Sequence, residues 1–356
     1  MKLTTPSILF TAILLFYIKP LFSQVTEAGS LHVADPIQHF DSLVTFKVNI
    51  SDDIEALSVN SGSGKIVLRP NAKLTTRFNF SYRYLSFGFS IAPPLLQEKN
   101  SDYTKGSSKL RSIGMNVNRK HWQQSAFYSR TKGYYLENTA DYHPSWRSGM
   151  PYIQFPELIF KQFYGSTAYS FNNRFSPNAV IAQTERQLLS AGSFIPMFNY
   201  RYSISDDRSP LAPGRQTQKA RNLELLLGPG YYFSWVHKKT FYVSGGLTLA
   251  GGIVFSTIEN RSQTGSTRGY QRNGVIRLDG TIGMGYNGDR FFGGIYARAT
   301  GSSFRQAHTS LISTDDRVMG HITIGYRIQA PAILRSLMLR SDQKIDQLQE
   351  KLLKSR

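Results

Sequence analysis

The chain contains no cysteine. That excludes a disulfide framework, a cysteine-bound metal and a thiol nucleophile. It also excludes a lipoprotein, whose acylated residue is a cysteine just after the signal. Charge is scarce: Asp, Glu, Lys and Arg make up 18% of residues, against roughly 25% in an ordinary soluble domain. Acids are scarcest, 23 against 42 bases, so the formal charge of +19 reflects missing carboxylates. Beyond the N-terminus no apolar run reaches the ~18 residues of a transmembrane helix, and mean hydropathy is −0.30. Aromatic residues are plentiful, with 20 Tyr and 23 Phe among 356 residues. Many aromatics at modest hydropathy fit a class that hydropathy misses, the transmembrane β-barrel.

The N-terminus reads as a secretory signal peptide over residues 1–23. Lys2 is followed by an apolar run from Ile8 to Ile18, then Lys19-Pro20, with a cut after Ser23. Its removal leaves 40 bases and 23 acids, a charge of +17. The barrel is expected over 24–330, and residues 331–356 as a C-terminal amphipathic helix or tail containing Lys344–Lys354.

Period-two patterning dominates the middle of the chain. Leu74, Thr76, Phe78, Phe80, Tyr82 and Tyr84 share one parity, and Lys73, Thr75, Arg77, Asn79, Ser81 and Arg83 the other. Soluble strands average nearer five or six residues, and membrane strands need roughly 9–11. Similar segments recur at Asp35–Asp53, Ser86–Ile91, Leu110–Asn118, Gln123–Arg130, Leu158–Phe171 and Ser190–Ser203. They continue at Asn222–Trp235, Thr240–Ser256, Gly274–Tyr286, Phe291–Thr300 and Val318–Ile328. The expected fold is all-β, an antiparallel transmembrane β-barrel of about 12 strands with a short C-terminal helix.

Link lengths are uneven. His237–Lys239 and Asn287–Arg290 are short; Gln97–Lys109, Lys132–Glu157, Ser205–Ala220, Glu259–Arg272 and Gly301–Arg317 are long and polar. Short periplasmic turns and long outer loops give this asymmetry. The long links are expected to carry Arg208, Arg215, Lys219, Arg221, Arg261, Arg268 and Arg272, which could meet lipopolysaccharide phosphates. Tyr231, Tyr232, Trp235, Tyr242, Tyr286, Phe291 and Phe292 lie near strand ends, where aromatic girdles sit.

No chemical motif stands out. Ser61-Gly62-Ser63-Gly64-Lys65 fails the phosphate-loop pattern, because Val59 takes the first glycine position and Ile66 the hydroxyl position. HExxH and GxSxG are absent, and the histidines at 32, 39, 121, 143, 237, 308 and 321 are scattered. No catalytic, cofactor-binding or metal-ligating residue is assigned, and no cofactor is expected. Inward Arg77, Arg83, Arg201, Arg277, Glu224 and Asp279 are expected to form lumen ion-pair networks; if those fill the interior, the barrel is a plug and not a wide pore.

Arg69-Pro70-Asn71, the strand ending Ser81-Tyr82-Arg83-Tyr84-Leu85-Ser86, Gly133-Tyr134-Tyr135, Asn172–Ser176 and Gln187–Ser193 occur in an order that resembles the DUF4421 family of Bacteroidota. The resemblance runs over about residues 35–328 and implies an outer-membrane barrel without an assigned activity. Gln24 after the cut is similar to signals of that group. The tail from Pro331 to Arg356 departs from barrels that end in an aromatic residue.

Three functions follow as expectations. The first is a non-enzymatic outer-membrane barrel: a structural protein, a narrow channel or a component of an envelope complex. Its partners would be outer-membrane lipid, lipopolysaccharide and an envelope protein. The second is a lipid-active barrel enzyme of lipid A deacylase or phospholipase type, with His321, His143 or His121 beside a serine. The third is a soluble periplasmic β-rich binding protein. Export argues against nucleic acid as a partner, despite the basic charge.

Overall fold

The computed structural model describes residues 35–52, 54–61, 64–98, 101–213, 216–304, 312–313 and 317–354. The expected signal peptide and Arg215 lie outside these residues.

Twelve antiparallel wall positions close into a ring. They are β1 (Leu43–Ser51), β2 (Thr75–Tyr82), β3 (Leu85–Ile91), β4 (Lys109–Arg119), β5 (Trp122–Leu136) and β6 (Gln154–Tyr169). Next come β7 (Ala191–Phe194 and Met197–Asp207) and β8 (Thr217–Gly228 and Gly230–His237). The ring ends with β9 (Phe241–Ser262), β10 (Gly265–Asn287), β11 (Phe291–Phe304) and β12 (Arg317–Gln329). Pro196 and Pro229, which have no N–H to give a ladder, interrupt β7 and β8, and each resumes in register with its neighbour. Strand β12 pairs with β1, His321 opposite Ser51 through Gln329 opposite Leu43, leaving no edge.

One rim carries the tight turns 83–84, 120–121, 238–240 and 288–290, together with the longer link 170–190. The other carries the link 137–153, the turn 263–264 and the described parts of the links between β1 and β2, β3 and β4, and β7 and β8. Two expectations change here. The expected strand through Tyr84 stops at Tyr82, because Arg83 adopts φ +53° and turns the chain with Tyr84. The expected loop Glu259–Arg272 is strand: β9 and β10 stay paired out to Ser262 opposite Gly265. Lys219, Arg221, Arg261, Arg268 and Arg272 therefore stand on strands.

Side chains alternate in and out along every strand. Inward aromatic rings lie flat against glycines directly opposite: Phe127 on Gly114, Tyr232 on Gly246, Tyr296 on Gly283 and Phe292 on Gly325. A Cβ at any of these four glycines would stand 2.0–2.1 Å from a ring carbon, so only hydrogen fits. Tyr232, Tyr242 and Phe292 are consequently lumen residues and not girdle residues; Tyr231, Trp235, Tyr286 and Phe291 face outward.

The C-terminal helix, Ala332–Lys354, packs Leu334 and Met338 on Val44 and Tyr82 at the tight-turn rim. Asp342, one turn further, meets Arg83 at 2.5 Å and Arg119 at 3.8 Å. Arg83, expected in the lumen, thus anchors this helix. No described helix is long and apolar enough to cross a membrane.

Candidate functional site

Three regions carry the chemistry: the outer wall and the two mouths of the ring. On the outer wall, every one of the twelve strands exposes large apolar side chains. Examples are Phe46 and Ile50 on β1, Phe87 and Phe89 on β3, Ile113 on β4, Phe163 on β6, Ile282 on β10 and Ile324 on β12. Such a contiguous belt exceeds the few hundred Å² that soluble surfaces expose. On β10 the exposed apolar run extends from Ile276 to Tyr286. At ~3.3 Å per residue and a tilt near 40°, it is about 25 Å tall, the height of a barrel's lipid-facing band. Near the tight-turn rim an aromatic row crosses five strands in direct register, Phe291–Tyr326–Phe46–Phe80–Phe87.

A polar plug fills the tight-turn mouth. The link 170–190 enters the barrel, and its segment Glu185–Gln187 pairs with Ile37–His39 as a two-stranded ribbon separate from the wall. Gln183, buried at φ +51°, is the keystone. Its carbonyl accepts from Arg327 Nε at 2.9 Å and Nη2 at 2.7 Å, and from Thr45 Oγ1 at 3.4 Å. Lys47 Nζ donates to its Oε1 at 3.0 Å and to the Ile181 carbonyl at 2.5 Å. Its Nε2 donates to the Tyr296 hydroxyl at 3.2 Å, and that hydroxyl also bonds Tyr242.

Arg327 is fully buried and also donates to Asn287 Oδ1 and the Gly288 carbonyl. On the other side of the plug, Asn118 donates to Asn178 at 2.9 Å, and Asn287 donates to the Ala179 and Glu185 carbonyls. The ribbon holds an ion pair, His39 Nδ1 to Glu185 Oε1 at 3.2 Å. Its hydrogen bond to Glu185 outweighs desolvation and raises the His39 pKa above the usual 6.5. Burial pushes Glu185 up, but hydrogen bonds with His39 and Ser176 outweigh it and hold the carboxylate below its usual value.

The opposite mouth is covered by a hairpin, Leu57–Ser61 with Gly64–Arg69, inside the β1–β2 link. Its Leu57 and Leu68 join inward Tyr134, Leu136, Leu158 and Phe160 in an apolar cluster. One hairpin edge pairs with the end of β5, Leu68 opposite Leu136, and the other with 312–313. Between the two closures, Arg201 meets Glu55 at 3.5 Å, and Arg277 bridges Glu224 at 2.8 Å and Asp279 at 2.9 Å. Arg77 donates to Asn79 at 3.1 Å and Ser90 at 3.2 Å. The expected ion pairing thus holds for Arg201, Arg277, Glu224 and Asp279, whereas Arg77 faces inward but bonds neutral Asn79 and Ser90.

The three histidines considered for acyl chemistry do not converge. His321 stacks on Tyr296 at 4.7 Å in the lumen. His121 Nδ1 lies 2.6 Å from the Ser170 carbonyl at the tight-turn rim. His143 Nδ1 lies 3.0 Å from Ser145 Oγ, two residues away on an exposed part of the 137–153 link. A nucleophile–base pair needs a third group to orient the base. Among the described residues, no carboxylate bonds to the His143 ring. No described group of three or more His, Cys, Asp or Glu side chains is arranged to hold a metal.

Comparison with known proteins adds a family and distant structural likenesses. A family model described as a domain of unknown function, DUF4421, matches residues 35–328. No curated protein sequence matches. The outer membrane protease OmpT of Escherichia coli is similar at 8% identity and a TM-score of 0.35, over 82% of this chain and 98% of that one. The toluene transporter TodX of P. putida is similar at 9% identity and a TM-score of 0.31, over 81% and 90%.

Proposed function

The chain belongs to the DUF4421 family, whose domain has no known function, and we propose that it is a non-catalytic outer-membrane barrel that spans the lipid as a closed body. The observation that carries this is the pairing of a continuous apolar outer wall with two occupied mouths. The apolar belt on all twelve strands has no use in water and would cost solubility there. An open pore needs a hydrated path, whereas here the plug bonds to Arg327 and Lys47 on one side and the hairpin seals the other with apolar contacts. A soluble periplasmic binding protein is disfavoured by that belt. A lipid-active enzyme is disfavoured because the His321 ring is stacked on Tyr296 in the lumen and the His121 ring nitrogen meets the Ser170 carbonyl and not its hydroxyl.

The role is then structural, as a membrane-embedded component of the envelope, with its links and C-terminal helix available to other molecules. The test is steady conductance in planar bilayers, on protein shown to be inserted by a heat-modifiable gel band. Inserted wild-type protein should give no steady current. A stable ohmic current from the wild type would replace the closed body with a channel.

A further inference from the structure

We propose that the outer face of β4, β5 and β6 carries a binding site for a phosphorylated membrane lipid in the leaflet on the long-link side. The inference rests on the membrane-spanning reading above and adds a ligand and its residues. Arg111 on β4, Arg130 on β5 and Lys161 on β6 stand directly opposite one another across three adjacent strands. One outward position further out, Lys109 opposes Lys132. Outward neighbours directly opposite sit ~4.5–5.5 Å apart at Cβ, and like charges so placed destabilise a sheet.

Glu157 is the carboxylate at hand, and it is engaged by Lys132 at 2.9 Å. Lys109, Arg111, Arg130 and Lys161 make no ion pair or side-chain hydrogen bond with any described residue.

Elsewhere toward the long-link rim several cations have carboxylate partners. Arg221 and Arg268 share Glu259, and Arg208 and Arg261 share Asp206. The row on β4–β6 is unanswered at the place where an anion from outside can reach it. Arginine forks bind phosphate oxygens in bidentate fashion, and lysine adds a point charge.

What lies below the row selects a lipid over a soluble anion. Two residues further along each strand, toward the tight-turn rim, the outward side chains are Ile113, Tyr128 and Phe163. All three are exposed. From Trp122, at the tight-turn end of β5, to Arg130 is about 26 Å along the strand, or roughly 20 Å of height after tilt. The cations therefore stand at the far edge of the apolar band, where phosphates meet acyl chains. A molecule with phosphates above and hydrocarbon below satisfies both halves of this surface.

The test uses the full chain in phosphatidylcholine vesicles doped with diphosphoryl lipid A, extracted gently, with retained lipid counted by native mass spectrometry. Wild-type protein should retain diphosphoryl lipid A over its dephosphorylated form. The triple variant Arg111→Gln, Arg130→Gln, Lys161→Gln should retain at least about tenfold less, since each cation near a charged lipid surface contributes a several-fold effect. The charge-keeping variant Arg111→Lys, Arg130→Lys, Lys161→Arg should recover most of it. Arg221→Gln should retain wild-type amounts. If the triple variant does not insert, Arg130→Gln alone, the centre of the row, gives the same reading with a smaller loss.

Flotation with vesicles and a heat-modifiable band separate the two readings. Wild-type protein that does not float overturns both the membrane reading and the lipid site. Inserted protein whose triple variant keeps its lipid overturns the site alone. Binding of inorganic phosphate alone as tightly as lipid A assigns the row to free phosphate and overturns the lipid.

Discussion

The guanidinium of Arg327 lies 3.9 Å from the centroid of the Phe40 ring, inside the tight-turn mouth. Arg327 belongs to the last wall strand and Phe40 to the segment that enters the barrel before the first. Phe292 flanks the same guanidinium at 4.6 Å. A cation held between aromatic faces, its N–H groups shared between the Gln183 carbonyl of the plug and the Asn287 side chain and Gly288 carbonyl of the wall, joins the ends of the folded wall to the plug.

Arg327→Gln should therefore loosen the plug and spare the wall. It leaves the Gln183 carbonyl and Asn287 Oδ1 short of donors, and an unsatisfied buried group costs about 1–3 kcal/mol. The β12 ladder is backbone and is unaffected. The expected outcome is faster proteolysis within residues 172–188 and intermittent current, with an unchanged heat-modifiable band. Equal protease resistance in variant and wild type would show that Arg327 does not hold the plug.

Gly283→Val should destabilise the barrel, because its Cβ would stand 2.1 Å from Tyr296 Cδ1. Tyr296 is pinned by Gln183 and Tyr242, so it cannot swing aside freely. Overpacking of this kind costs about 1–3 kcal/mol. Gly269→Ala, with nothing within 4 Å of the new Cβ, should stay within about 0.5 kcal/mol. Denaturant unfolding from lipid vesicles measures both.

The ribbon inside the tight-turn mouth should be pH-dependent. The His39 pKa is raised by its hydrogen bond to Glu185, so its stabilising contribution is full below 6.5 and lost as pH rises through the raised value. Glu185 is lowered despite burial, so its contribution is full above 4.5 and lost as pH falls through the lowered value. Hydrogen exchange at Ile37–His39 and Glu185–Gln187, corrected for intrinsic rates, should be slowest between 4.5 and 6.5. His39→Gln should remove the rise above 6.5; a rise that survives it would place the titrating group elsewhere.

Most of the wall was legible because lipid imposes a simple code. Phe78 and Phe80, then Phe87 and Phe89, alternate with polar partners, and they pair across β2 and β3 as that alternation requires. The code fails where the environment changes. Beyond the apolar band, β9 and β10 keep pairing through Glu259, Arg268 and Arg272, where Ile258 and Tyr270 are too few among polar residues to mark the strand. Alternation also does not say whether an aromatic faces lipid or a glycine across the ladder, which is why Tyr232, Tyr242 and Phe292 read as girdle residues.

The plug was hidden for a different reason. The acceptors that hold Lys47 and Arg327 include the backbone carbonyls of Ile181 and Gln183, which carry no side-chain signature. The available signals were Lys47 and Arg327, long cations on the inward parity of strands whose outward neighbours are apolar. The cationic row of Arg111, Arg130 and Lys161 becomes visible only once register is known, since it joins three separate strands.

The central claim is that the outward apolar face meets hydrocarbon while the adjacent inward residue does not. The absence of cysteine makes single-site labelling direct. An environment-sensitive fluorophore on Ile282→Cys, mid-band and outward, should be strongly quenched by nitroxides at the middle of the lipid chains. The same probe on Thr281→Cys, one residue away and inward, should be little affected. Equal quenching at the two positions, or greater quenching at 281, would contradict a membrane-spanning barrel.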